Sequence, residues 1–321
     1  MAEALTTRGF CGSPRTMHTG SGVWEESNCY LDVLIELLYS SGLPPEPALA
    51  VTLSADWEGD QWTFCKFNDE DLRCLYALDI QELNPWDDLH DHVVTQVQSG
   101  HPVLIEVDSW FLPDTRGSAY HRAHVKTTIA VMSMDPAKGV MGYLHGTGAW
   151  TLQDADYQGI WLRAAALQQG ALPPYVERVR YGNPVQPDDR VTYAMQALQR
   201  EVARMPQINP VEQFARFAAE PELAAAPQQN LERVHRFAFA TFRQIGSGAE
   251  LASHHLRWLS SEAGLNLLDV SQTCIELARL ARAEQFRFAR CASRGKPFVL
   301  SPLMAELWDS MARDLRNRLR V

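Results

Sequence analysis

The chain has 321 residues, 46% apolar and 21% charged, with a formal net charge of -10. That is ordinary for a globular protein large enough for more than one domain, and no run approaches the ~18 consecutive apolar residues of a membrane span. The charge is unevenly spread: residues 1–160 carry 8 Lys+Arg against 23 Asp+Glu, whereas 161–321 carry 21 against 16. An acidic front half argues against nucleic acid as a partner, and no membrane partner is expected. The first twenty residues lack the apolar stretch of a secretory signal, and the six cysteines show no paired spacing, so a reducing, cytoplasmic setting is expected.

The first strong element is Trp24-Glu25-Glu26-Ser27-Asn28-Cys29-Tyr30-Leu31 and onward to Leu38. Leu31, Leu34, Ile35 and Leu38 share a helical face, and Ser27 or Asn28 is a natural N-cap, which puts Cys29 in the first turn of a buried helix. Unpaired amides and the positive end of the helix dipole stabilise a thiolate there, and the same amides can serve an oxyanion. An acidic stretch follows, flanked by Trp57, Trp62 and Trp86, which read as core packing with an aromatic pocket wall as the alternative. His90 and His92 beside Asp87, Asp88 and Asp91 read as a solvated helix start.

Three β-type runs come next, at 102–107, 125–132 and 140–144. In an antiparallel meander, Asp108 after the first, His124 before the second and His145 after the third reach one edge of the sheet. Asp135 falls at the turn on the opposite edge. Cys29, His124 and Asp108 supply the types needed for nucleophile, base and orienting acceptor, with His145 the other candidate for the third role. His121-x-x-His124 lacks further ligands at metal spacing, and no metal is expected.

A Pro-rich passage, 171–187, is expected to link a first domain over 1–170 to a helical domain over 188–321. Asp188 or Asp189 is expected to cap a helix to about Met205, Asn209-Pro210 and Ser301-Pro302 start others, and Leu231–Leu259 and Leu265–Ala292 show helical spacing interrupted by Gly246, Gly248 and Gly264. The result is a bundle of about five helices. Glu250, His254 and His255 form half of a carboxylate–histidine pattern with no second copy, and read as surface groups. No phosphate-binding glycine loop is present.

The helix-borne Cys29, the strand ending Asp108-Ser109-Trp110-Phe111-Leu112-Pro113, and His124 heading a strand together resemble the papain-like fold of the butirosin biosynthesis protein H N-terminal family. Trp24 to Leu31 and His124-Val125-Lys126-Thr127-Thr128 further resemble a bacterial family of unknown function associated with amino acid:carrier protein ligases. The resemblance covers about residues 20–165. It implies an α+β papain-like cysteine domain with an antiparallel sheet, followed by the α-helical domain. It also implies transfer of an acyl group from a carrier-protein phosphopantetheine thioester to an amine through Cys29, with His124 activating thiol and then amine and no bound cofactor. The sequence departs from the family pattern at Leu144-His145-Gly146, where an Asn or Asp would stand. An acidic acyl or aminoacyl carrier protein would suit Arg233, Arg236 and Arg243 as a docking face. Hydrolysis of a peptide, amide or thioester, and carrier binding without catalysis, are the alternative functions.

Overall fold

The computed structural model describes residues 22–170, 174–220 and 231–320. Among these, Asn28–Pro44 and Tyr76–Pro184 form one compact unit, while 22–27, Pro45–Leu75 and 185–320 form a second. The division is not linear in sequence, because residues 45–75 belong to the helical unit.

The first unit is α+β. Helix α1 (Cys29–Ser40) is followed, within this unit, by β1 (Leu78–Glu82), α3 (Leu89–Gln98), β2 (Val103–Asp108), β3 (Lys126–Asp135), β4 (Val140–His145), β5 (Gly148–Gln153), α4 (Asp154–Gly170) and β6 (Val176–Tyr181). The six strands make one sheet in the order β1-β6-β2-β3-β4-β5, with every neighbouring pair antiparallel. The expected meander is its β2-β3-β4 portion. Side chains alternate between faces along each strand. Val103, Ile105, Val107, Ile129, Val131, Met141, Tyr143 and Leu152 pack with Leu89, Val93, Ile160 and Trp161 from α3 and α4. The intervening residues, among them Leu104, Ala130 and Leu144, are buried on the other face, where α1 crosses β3 and β4.

Strand β6 lies inside the segment expected to be a linker. Pro173, Pro174, Pro184 and Pro187 bracket it, and the strand between them pairs with both β1 and β2. Its Arg and Glu positions break the apolar alternation by which strands are recognised.

The second unit contains α2 (Asp69–Tyr76, shared at its last residue with the first), α5 (Pro187–Arg204), α6 (Pro210–Ala218), α7 (Leu231–Glu262), α8 (Leu268–Ser293) and α9 (Pro302–Leu319). Helix α5 starts one turn position earlier than expected: Gln186 is the N-cap and Pro187 the first helical residue, which leaves Asp188 and Asp189 in the first turn beside the positive helix end. Asn209 caps α6 by accepting from Val211 N at 2.9 Å and Glu212 N at 3.3 Å. Gly246 and Gly248 do not interrupt α7. Gly246 instead gives room to the Trp24 indole, since a Cβ there would lie 2.4 Å from it. Trp57 and Trp62 pack against each other and Phe214, in the core of this unit rather than as a pocket wall.

Candidate active site

The thiol is placed by the start of α1. Asn28 is extended, with φ -139° and ψ 156°, and its side chain accepts from Leu31 N at 2.9 Å. Cys29 is thereby the first helical residue, anchored by the buried Leu31, Val33, Leu34, Ile35, Leu37 and Leu38 behind it. Its Sγ lies 3.7 Å from Thr128 Oγ1, its one hydrogen-bond partner among the described residues. Thr128 is buried on the α1 face of β3. Cys65 and Cys274, by contrast, are fully enclosed, and burial pushes their thiols up to about 11 and about 12 respectively. Cys29 is half-buried and accessible.

The base is placed by the end of β2. Asp108 closes that strand and caps the following turn, its Oδ1 accepting from Trp110 N at 3.1 Å. Its other oxygen is 2.6 Å from His124 Nδ1, and Arg163 Nε of α4 stands 3.7 Å from the same oxygen. The Trp110 ring lies flat on the imidazole, with centroids 4.5 Å apart and planes 11° from parallel. A carboxylate at Nδ1 holds that proton and leaves Nε2 as the basic atom. The Asp108 side chain is 9% exposed and that of His124 60% exposed, so the acceptor is sheltered while the ring meets solvent.

Strand parity puts Asp108, Glu106, Lys126 and Thr128 on the face covered by α1, with Asp108 opposite Lys126 and Glu106 opposite Thr128. Lys126 pairs with Glu106. Cys29 meets that face at Thr128, while His124 stands before β3 begins and its partner Asp108 is also approached by Arg163 of α4. No hydrogen bond joins Cys29 and His124 among the described residues. His124 and Thr128 are four positions apart, about 13 Å of extended chain at ~3.3 Å per residue.

His145 does not join them. It ends β4 on the opposite face, where Nε2 is 2.8 Å from Thr127 Oγ1 and Nδ1 meets Asp114, which also accepts from the Tyr143 hydroxyl. Asp108, His124 and His145 all stand at the ends of neighbouring strands, and His145 bonds with Thr127 and Asp114 rather than with Cys29 or His124. His145 sits beside Tyr143 in parity, and Ala130 pairs with Leu144, so its ring projects away from α1.

His121 and His124 also diverge. His121 Nε2 is 3.1 Å from Asp156, which takes a 2.7 Å bond from the Tyr120 hydroxyl. Glu250 is not a surface ligand but accepts from Val23 N and Trp24 N, both at 2.7 Å. His255 is fully buried on Glu46 O at 2.8 Å, and burial lowers it to about 4. Asp88, His90 and Asp91 bring ligand-type atoms within 4.8 Å of one another, but Asp88 is already the cap of α3, accepting from His90 N at 2.8 Å. Of the basic residues expected to dock a partner, Arg233 and Arg236 are exposed on α7, with Arg236 3.8 Å from Glu232. Arg243 is half-buried, its guanidinium 3.5 Å from the Phe239 ring centre and 3.7 Å from Glu26.

Thr128, Trp110 and Arg163 were not singled out from the sequence, although the first two fall inside the motifs quoted there. Arg163 carries no local signal, since its link to Asp108 depends on how α4 folds back. Among the described residues no helix is long and apolar enough to cross a membrane.

No curated protein matches the chain. A family model described as the DUF1839 N-terminal domain matches residues 13–181, and one described as the DUF1839 C-terminal domain matches 188–317. The junction between the two falls in the Pro-rich passage after β6. The two models together span nearly the whole chain, which therefore belongs to the DUF1839 family, a family of unknown function.

Proposed function

We propose that the protein is a papain-like cysteine acyltransferase that takes an acyl or aminoacyl group from a carrier-protein phosphopantetheine thioester onto Cys29 and passes it to an amine. The observation that carries this reading is an accessible thiol at the capped N-terminus of α1, at the same sheet edge as a carboxylate-backed imidazole. Thiol, helix amides and His–Asp pair are the parts that acyl transfer requires.

In the first step the Cys29 thiolate attacks the thioester carbonyl, its proton having passed to His124 Nε2. The C–S bond to phosphopantetheine breaks, and the departing thiolate takes that proton. In the second, the amine attacks the Cys29 thioester and gives its proton to His124, which returns it to Cys29 sulfur as the amide forms. Asp108 holds the Nδ1 proton throughout and stabilises the imidazolium. The thiol rests on Thr128, and these transfers require the exposed His124 ring, with its open Nε2, to approach it. The carrier docks on the exposed Arg233 and Arg236 of α7; Arg243 contributes less because it is already turned toward Glu26 and Phe239.

Intact-mass spectrometry after incubation with an acyl-loaded carrier protein tests this directly. The expected result is one acyl adduct, absent in Cys29→Ser and discharged when an amine is added. An adduct lost to water alone would identify a hydrolase, and no adduct at all would leave carrier binding as the function.

A further inference from the structure

Strand β6 changes character along its length. One face presents Val176, Arg178 and Arg180, the other Glu177, Val179 and Tyr181. Val176 is in the core beneath α3 and α4. Glu177, on the opposite side, accepts from the Tyr30 and Tyr175 hydroxyls at 2.7 and 2.6 Å. Beyond Val176, the first face continues as two arginines. Arg178 lies between Gln81 of β1 and Val103 of β2, and Arg180 lies opposite Asp79.

His101 stands at the same end of the sheet, between α3 and β2, where Pro102 pairs with Val179. Its pKa is held below the ordinary histidine value by burial first and by Arg178 and Arg180 next. Among the described residues, two nitrogens of this cluster, Arg178 Nε and His101 Nδ1, are withdrawn from solvent with no hydrogen-bond partner. Asp79 is the facing carboxylate, and its Oδ1 takes a 3.1 Å bond from Gln81 Nε2. Among the described residues neither arginine has an ion-pair partner.

Like charges gathered at one spot, with sheltered nitrogens unsatisfied, are costly unless an anion completes them. Guanidinium forks suit the oxygens of phosphate, and the imidazole adds a third donor when protonated. We infer that His101, Arg178 and Arg180 form a binding site for a phosphate group, either inorganic phosphate or a phosphate monoester. The site is at the start of β2, about 17 Å of strand from Asp108 at ~3.3 Å per residue, and it uses none of the residues assigned to acyl transfer.

The test is a titration of the full chain with inorganic phosphate and, separately, with 4′-phosphopantetheine. Heat and the NMR signals of the His101 ring are followed at constant ionic strength. Saturable binding that moves the His101 signals is expected, weakened about ten-fold by Arg180→Ala, an exposed position where folding is safe, and by Arg178→Gln. Tighter binding of 4′-phosphopantetheine identifies a monoester as the ligand; equal binding identifies the free anion. Non-saturating heats with a still His101, or affinities that both variants leave unchanged, overturn the inference. Cys29 acylation is read separately, so either idea can fail alone.

Discussion

Two histidine–aspartate pairs stand at one edge of the same antiparallel strands, and their surroundings separate them. His124 and Asp108 meet at 2.6 Å with the ring 60% exposed, its Nε2 without a partner among the described residues. His145 and Asp114 are enclosed, at 12% and 5% exposure. Each ring nitrogen of His145 has a partner, and Asp114 is shared with Tyr143, whose hydroxyl is pushed well up by burial and then by the Asp114 charge. The same two residue types therefore serve opposite ends. A pair with an open nitrogen can exchange protons with a substrate. A pair with every site filled holds structure, here tying the turn at Pro113–Thr115 to β3 and β4.

The largest effect on stability should come from opening the enclosed pair. Asp114→Ala leaves His145 and the Tyr143 hydroxyl without their acceptor in a sheltered place, and breaking such a pair costs about 3 kcal/mol or more. Urea unfolding should show that loss. An unchanged midpoint would mean that the network is ornamental and that His145 is available for another role.

A third histidine extends the comparison. Among the described residues His255 meets no carboxylate, only the Glu46 carbonyl, and burial lowers it to about 4. The unfolded chain binds this proton near pH 6.5 and the folded chain does not until about 4. The stability tied to the neutral ring is therefore fully present above ~6.5 and lost as pH falls toward 4, by up to ~3 kcal/mol. Thermal unfolding from pH 7 to pH 4.5 should fall more steeply for the native chain than for His255→Leu. Parallel curves would show that His255 is already charged in the fold.

Much of this arrangement is legible in the sequence, for identifiable reasons. The α1 start is written in Asn28 and the apolar face behind Cys29, and β2, β3 and β4 in apolar runs longer than a turn can hold. Strands β1, β5 and β6 are not legible: β1 alternates over only Leu78 and Ile80, too short to stand out, and in β6 Arg178 and Arg180 follow Val176 on the face where an apolar repeat would reveal the strand. The joining of Pro45–Leu75 to the helical unit is set by long-range packing of Trp57 and Trp62 on Phe214, which no local pattern encodes. The side on which His145 falls could have been read, since parity fixes it once Ala130 is paired with Leu144. Strand order alone gives only the edge.

The smallest effect on stability, and the most informative, belongs to His124→Ala. The ring is largely in solvent, and an exposed ion pair is worth about 1 kcal/mol at most, to which stacking on Trp110 adds little more. Urea midpoints should barely move. If His124 is the base, the rate of acyl transfer to amine should nonetheless drop by about 10² to 10⁴, the range for losing a positioned acid–base group. Alkylation of Cys29 by iodoacetamide at neutral pH should slow with it, while the enclosed Cys65 and Cys274 stay unlabelled in both chains. A loss of stability as large as that of Asp114→Ala would erase the distinction between the two pairs and make both structural. Stability and transfer both left intact would keep the distinction in exposure but remove its meaning, because the open nitrogen of His124 would then serve no proton.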